Sequence, residues 1–378
     1  MILMKLNRKK FLFIGCSTIK KNAALFRLLL ARYLVQERHE VHLLLEDDPV
    51  NRDWVAKKIP GVQTHYLSVK PLLELVIERR RLIKQIKPDI VHILGIGVQN
   101  VLTMPILSKP SSPVYIPDLD ELMSAKASSL ARRLLNRYLE EQALRISQTV
   151  ICASQFLVEH LSHRHGRDRN QFLELPYAYD PESFATCQLL AENIRSNYKP
   201  RKIIVYMGTL CKEYQSNQVL ELAENMQKYR KELVFLIIGD GSMFKSNKKW
   251  VLHRKMEDFV CFLGYIYTDD LASYLKAADV LLFPIQDNIQ NKARCPNKTF
   301  QYIAANRPIV TNKVGEVERA LGSDAYYYDF NSIESFKKAV IAALADSHNY
   351  TNSRLLNLHT WKKRTINYQE WLSKVGVI

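Results

Sequence analysis

Short apolar runs that end in glycine or proline alternate with stretches of helical periodicity along almost the whole chain. Phe11 to Ile14 runs into Gly15, Asn22 to Gln36 follows at helical spacing, and Val41 to Leu45 is apolar again. Leu72 to Ile86 is a basic amphipathic stretch, and Lys87-Pro88-Asp89-Ile90-Val91-His92 reads as a helix stop followed by a buried strand. Leu130 to Leu144 predicts a further helix, and Thr149 to Ser154 another strand. The second half repeats the alternation with Ile203 to Gly208, Glu232 to Gly241, Val260 to Gly264 and Val280 to Phe283. Strand, glycine turn, helix and strand in succession predict an α/β fold with parallel, doubly wound sheets.

The mixed polar residues 185–200, closing in Lys199-Pro200, read as a linker between a domain at 1–185 and one at 200–357. A last amphipathic helix at 358–378 carries Trp361, Tyr368 and Trp371. Length permits this division, since 378 residues suffice for two cores of ordinary size.

Cys295 to Thr311 is the most informative stretch. Pro296 suits the first helical turn, and Phe300, Ile303 and Ala304 recur as a core-facing stripe that leaves Lys298, Gln301 and Tyr302 on other sides. Asn306-Arg307-Pro308 ends the helix before a strand at Ile309-Val310. Polar groups gathered at a helix N-terminus suit a phosphate, because the first amides lack partners and the helix dipole is positive there. An ordinary helix-strand turn would read the same way.

Composition adds bounds. The chain is 47% hydrophobic and 24% charged, and no run reaches the roughly 18 to 20 apolar residues that cross a bilayer. The six cysteines, Cys16, Cys152, Cys187, Cys211, Cys261 and Cys295, lie far apart, which fits reduced thiols and a cytoplasmic protein. The basic start that ends in Gly15-Cys16 has too short an apolar part for a signal core. A formal charge of +16 favours polyanions or acidic surfaces. Basic clusters at Lys5 to Lys10, Arg79 to Lys87, Arg132 to Arg137 and Arg164 to Arg169 suggest a face resting on anionic lipid, with a solvated surface as the plain alternative. No nucleic-acid reading motif accompanies them.

Chemistry concentrates in a few places. Asp118, Asp120 and Glu121 follow an apolar strand and cannot all be buried without partners. They suit proton acceptance, orientation of a hydroxyl, or support of developing positive charge, and equally an acidic loop capping a helix. His92 lies where open sheets bind ligands, or is a core histidine. Gly208 ends one strand of the second domain and Gly239-Asp240-Gly241 another, which lets backbone amides approach an anion. Lys212 is a nearby cation or a surface residue, and Gly15 alone is too little for a dinucleotide fingerprint.

The order of these segments resembles glycosyltransferase family 4, the group 1 retaining enzymes. Cys295 to Thr311 is similar to the family's donor-site signature, with Gln301 at its glutamate, Asn306 at its glycine and Ala293 at its earlier glutamate. KPDIVH, the VIC strand after Thr149, ELVFLIIGDG, and the run from Val260 through Asp279 to Pro284 look like family elements. His39-Glu40-Val41 resembles its Gly-His-Glu-Val entry with Arg38 at the glycine, and Leu173 to Phe184 resembles its crossover with Tyr177 and Ala178 replacing Asn-Gly. Gly315 is the one glycine kept of a Gly-Gly loop.

The resemblance implies the GT-B architecture, two Rossmann-like domains facing across a cleft, and a retaining, metal-independent transfer with no cofactor. It places the nucleotide-sugar donor on Gly208, Thr209, Lys212, Gly239, Gly241, Pro296, Asn297, Lys298 and Gln301. A glycan or lipid-linked acceptor would lie by Gly15, His92 and Glu121, with Asp118 and Asp120 as catalytic residues; Asp120 matches the family's acceptor-side histidine. Thr209 stands where the family commonly has arginine. Asp-x-Asp is also a metal signature of another glycosyltransferase fold, but that fold has a single domain. The final helix would pack back on the first domain. The replaced glutamates leave open a GT-B-shaped binding protein without catalysis, and an epimerase or phosphorylase of similar fold is the other rival.

Overall fold

In a computed structural model the described residues are 8–15, 17–19, 23–105, 113–127, 129–266, 268–348 and 350–378. The chain divides into two compact units: Met1–Tyr177 with Lys292–Cys295 and Trp361–Ile378, and Ala178–Asn291 with Pro296–Thr360.

The first unit is built on seven strands, β1 (Lys10–Ile14), β2 (Glu40–Glu46), β3 (Gln63–Leu67), β4 (Ile90–Leu94), β5 (Val114–Leu119), β6 (Val150–Cys152) and β7 (Phe172–Glu174). All pair in parallel, in the order β3-β2-β1-β4-β5-β6-β7. Both faces of β1 and β4 are buried, which explains why they read as unbroken apolar runs rather than alternating ones. The order reverses between β1 and β4, so the carboxyl ends of these strands and their neighbour β5 border the place where such sheets take ligands.

Around this sheet the helical periodicities hold. Leu72–Ile86 buries Val76, Ile83 and Ile86, and ends at Lys87 in the left-handed conformation with φ 52°. It also buries Arg79, whose guanidinium donates to Asn100 Oδ1 at 2.8 Å and to the Gly15 carbonyl at 3.4 Å. Arg79 is therefore an internal tie and not part of a basic face. Cys16, Asn22 and the start of the basic cluster at Lys5 lie outside the described residues. The stretch after Asn22 forms a 3-10 helix, Ala23–Leu28, before the α-helix Leu29–Gln36. The C-terminal helix Trp361–Lys374 belongs to this unit: Tyr368 packs on Phe11 and His92, Gln369 meets His39 at 3.2 Å, and Arg364 donates to the Pro176 carbonyl at 3.0 Å.

The second unit has six parallel strands, β8 (Lys202–Met207), β9 (Leu233–Ile238), β10 (Val260–Gly264), β11 (Val280–Phe283), β12 (Ile309–Thr311) and β13 (Tyr326–Tyr327), in the order β10-β9-β8-β11-β12-β13. Its reversal falls between β8 and β11. β9 and β11 bury every residue and β8 all but Lys202, and Phe235, Phe259, Val260 and Phe336 help fill the core.

Residues 185–200 are not a linker. Gln188–Tyr198 is a helix that buries Ala191 and Ile194, and Arg195 pairs with Asp279 at 3.0 Å inside the second unit. Cys187, Ala191 and Ile194 form a core stripe too sparse to stand out among polar neighbours. The chain passes between the units at Tyr177-Ala178 instead.

Candidate functional site

In the second unit, polar groups collect at the carboxyl ends of β8 and β11. The helix Asn297–Ala305 starts there, with Pro296 at its N-cap rather than inside its first turn, and ends at Asn306 with φ 53°. Lys298 folds back from this helix. Its Nζ donates to the Met207 carbonyl at 3.1 Å and lies 4.1 Å from the Phe283 ring centroid and 4.9 Å from that of Tyr206. Two ring faces and a carbonyl thus fix an ammonium beside Gly208, where a Cβ would stand 3.1 Å from it. Gln301 lies one turn along on the same side of the helix and is half-buried.

Tyr302 corrects the expectation that it faces away from the core. It is fully buried, with its hydroxyl accepting from Met207 N at 2.9 Å and donating to the Leu282 carbonyl at 3.1 Å. It ties β8 to β11 directly beneath Lys298. Tyr302→Phe leaves both buried backbone groups short of a partner, and a loss of about 1 to 3 kcal/mol is expected in denaturant unfolding. An unchanged unfolding midpoint would contradict this role.

The glycines act differently from the expectation. The amides of Gly208, Gly239 and Gly241 do not wait for an anion: Gly208 N donates to Ile238 O at 2.9 Å, Gly239 N to Gly264 O at 2.7 Å, and Gly241 N to Asp240 Oδ1 at 2.7 Å. Gly208 N, with Leu210 N donating to Asp240 O at 2.9 Å, locks the turn after β8 against the turn after β9, so closely that a Cβ on Gly239 would stand 2.0 Å from the Gly208 carbonyl oxygen. Thr209 is exposed at the tip of this crossing. Lys212 is exposed on the short 3-10 helix Lys212–Tyr214, and among the described residues it makes no hydrogen bond or ion pair with the Lys298 group. Thr299 escapes sequence reasoning; its buried hydroxyl, next to Lys298 in the first turn, has no hydrogen-bond partner among the described residues.

A second polar cluster lies at the carboxyl ends of β4 and β5 in the first unit. Asp118 belongs to β5 itself rather than to a loop, and is 1% exposed. Its Oδ2 lies 2.5 Å from Arg27 Nε and 3.0 Å from His92 Nε2. A carboxylate oxygen accepts, so His92 carries its proton on Nε2. Burial lowers the His92 pKa below the ordinary imidazole range against the raising pull of Asp118, which keeps the ring neutral. His92 is thus a buried core group tied to Asp118 through Nε2, although among the described residues its Nδ1 and Asp118 Oδ1 lack a hydrogen-bond partner, and Asp118 is a buried counter-ion rather than an open base.

Asp120 is the carboxylate at the rim. Tyr177 donates to its Oδ2 at 3.4 Å. Burial, then the charges of Glu121 and Asp118, push its carboxyl up to about 7, while Arg27 pulls it down. A carboxyl titrating there can take or give a proton at neutral pH. Glu121 instead pairs with Lys126 at 2.7 Å. Gly15 is closed off: a Cβ there would meet Leu25 Cδ2 at 2.4 Å, so its role is packing. Ala293, at the position of the family's first glutamate, packs with Leu139, Leu157 and Val158, and Ser154 donates to its carbonyl at 2.6 Å.

Known proteins align with both units. A model described as a glycosyl transferase 4-like domain matches residues 25–178, and one described as glycosyl transferases group 1 matches residues 191–355. Alpha-monoglucosyldiacylglycerol synthase of Streptococcus pneumoniae (strain ATCC BAA-255 / R6) is 22% identical over 351 residues, which are 85% of this chain and 76% of that protein. Anabaena HepE in complex with UDP and glucose is similar at a TM-score of 0.77, covering 97% of this chain and 100% of its own at 13% identity. Sucrose-phosphate synthase from Thermosynechococcus elongatus gives 0.77 as well, over 97% and 99% at 14% identity. With its two units matched in order by glycosyltransferase models, and with the GT-B fold over nearly its full length, the chain belongs to the group 1, family 4-like glycosyltransferases.

Proposed function

We propose that the chain moves a sugar from a nucleotide-sugar donor to a lipid-linked or glycan acceptor, with retention at the sugar carbon and without a metal ion. The observation that carries the donor half is Lys298, an ammonium held by two rings and a carbonyl at the sheet's point of reversal and at a helix N-terminus. Negative charge grows on the departing diphosphate as the sugar bond breaks, and a fixed cation with helix amides stabilises it more than the ground state. Asp120, ionised above about pH 7, takes the acceptor hydroxyl's proton. Retention and freedom from metal follow from kinship with family 4.

UDP-glucose is the first donor to test, because HepE binds UDP and glucose, and a diacylglycerol glycolipid is the first acceptor, after the Streptococcus pneumoniae relative. A lipid acceptor accords with a cytoplasmic enzyme resting on a membrane face. Among the described residues no helix is long and apolar enough to cross a membrane. The helix Leu130–Ile146 instead exposes Leu130, Leu134, Leu135 and Tyr138 beside Arg132, Arg133 and Arg137. Arg164 and Arg167, by contrast, are spent on internal partners, Glu141 and the Leu144 carbonyl.

Titration calorimetry with UDP-, ADP- and GDP-sugars tests the donor half. One of them should bind, and Lys298→Met should weaken that binding by 10-fold or more while leaving the melting temperature within a few degrees. Absence of binding by every nucleotide sugar would sink the proposal. A second reading, a binding protein without catalysis, draws on Ala293, which places a core methyl where the family has an acid. Donor binding with neither transfer nor hydrolysis would favour it, and turnover without added acceptor would favour an epimerase or phosphorylase.

A further inference from the structure

Arg27 is fully buried, yet it is not used as a hydrogen-bonding fork. Its Nε touches Asp118 Oδ2 at 2.5 Å, but among the described residues none of its three nitrogens makes a well-directed hydrogen bond. Its guanidinium carbon lies 5.0 Å from the centroid of the Tyr177 ring, and the Tyr177 hydroxyl reaches Asp120. A buried charge pair contributes little net stability compared with an apolar pair of the same volume, so stability alone is a weak reason for this one. We propose that Arg27 is a positioning residue for the acceptor step: it is the fixed cation that clamps Asp118 and, through the Tyr177 ring lying under it, holds Asp120 ready to accept the proton.

The charge inventory supports this role, which rests on reading Asp120 as the acceptor's base. From its own segment Asp120 faces the carboxylates Asp118 and Glu121; Glu121 is occupied by Lys126. The remaining titratable groups of the cluster are held neutral by burial. They are His92 on β4, Cys152 on β6, Tyr177 after β7 and Tyr368 on the C-terminal helix. Cys295 adds a thiol that accepts from Tyr177 N at 3.4 Å. Arg364 on the C-terminal helix is a second buried cation, spent on the Pro176 and Tyr177 carbonyls, so among the described residues it is Arg27 that pairs with Asp118 and pulls on Asp120. Without it two adjacent carboxylates share an uncompensated site, and one of them keeps its proton.

The test is a carboxyl carbon NMR titration of the full chain labelled at aspartate, with the Asp120 signal identified by its loss in Asp120→Asn, alongside the pH dependence of kcat/KM. Arg27→Gln should move the Asp120 midpoint up by a pH unit or more, and Arg27→Lys, which keeps the charge, should restore most of it. The acid limb of kcat/KM should follow the same midpoints. A folded Arg27→Gln protein with an unmoved midpoint overturns the inference. So does a rate limb that stays in place while the midpoint moves, since Asp120 then leaves the reaction. If the chain transfers no sugar at all, the function falls but the NMR midpoint still decides whether Arg27 governs Asp120. Should Arg27→Gln fail to fold, Asp118→Asn probes the same field with Arg27 kept: the Asp120 midpoint must fall, and an unmoved one refutes the role.

Discussion

Asp120→Asn is expected to lower turnover by about 100- to 10,000-fold, the usual worth of a positioned proton acceptor, while donor affinity stays within a factor of about 2. Donor affinity is spared because Lys298 and the helix that carries it belong to the other unit. The same substitution should make the protein more stable, and only at the alkaline end. With its pKa raised to about 7, the Asp120 carboxyl holds a proton in the folded chain at pH values where the unfolded chain has lost it. Stability therefore falls as pH rises from about 4 to about 7, by about 1.4 kcal/mol for each pH unit that separates the folded from the unfolded midpoint. Asparagine cannot ionise and escapes that loss. Thermal melts should show Asp120→Asn above the parent at pH 8 and level with it at pH 4. Equal melting temperatures at both values, or lower turnover caused by a weakened donor, would remove Asp120 from its role.

That a residue costs stability and governs rate is what distinguishes this cluster from the core around it. Most of the core is legible in the sequence. β1, β4, β8 and β9 bury both faces, so their sequences are unbroken apolar runs, and the helices between them keep a three- and four-residue stripe. β3 is not legible, because Gln63–Leu67 is an edge strand with four residues left partly or fully exposed, and its sequence, QTHYL, carries no apolar run. β13 has only two residues, below the length at which any pattern exists.

The site divides along the same line. Lys298, Asp118 and Asp120 stand out because charges beside apolar strands need partners. What those partners are depends on contacts far apart in the chain. Arg27 sits in an apolar stretch, Leu25-Phe26-Arg27-Leu28, and reads there as one polar position of a helix; only the fold brings it to Asp118. Tyr302 follows Gln301 and falls on the polar side for that reason, but a tyrosine can bury its ring and still satisfy its hydroxyl on two strands. Reading Gly208, Gly239 and Gly241 as amide donors rests on the absence of side chains. A glycine is equally the residue that permits two backbones to touch, and here that second use wins.

Gly239→Ala follows from that use and should have the largest structural effect. The new methyl would stand 2.0 Å from the Gly208 carbonyl oxygen and 2.9 Å from its carbon, both backbone atoms that no rotamer change can move. The residue also has φ 131°, a conformation L side chains rarely adopt. The turn after β8 must therefore separate from the turn after β9, breaking the Gly208 N to Ile238 O and Leu210 N to Asp240 O bonds that hold them. Loss of these two backbone bonds and the strain together come to about 4 kcal/mol or more, a drop in melting temperature of about 8 to 16 °C. Because the Lys298 ammonium is held on the Met207 carbonyl just before this turn, nucleotide-sugar binding should weaken in step. Gly166→Ala separates strain from collision: Gly166 has φ 58° at a helix C-cap, with nothing within 4 Å of an added Cβ. It should cost only about 1 to 2 kcal/mol and leave donor binding unchanged. Were the two variants to melt alike, contact between the turns would not be what Gly239 provides.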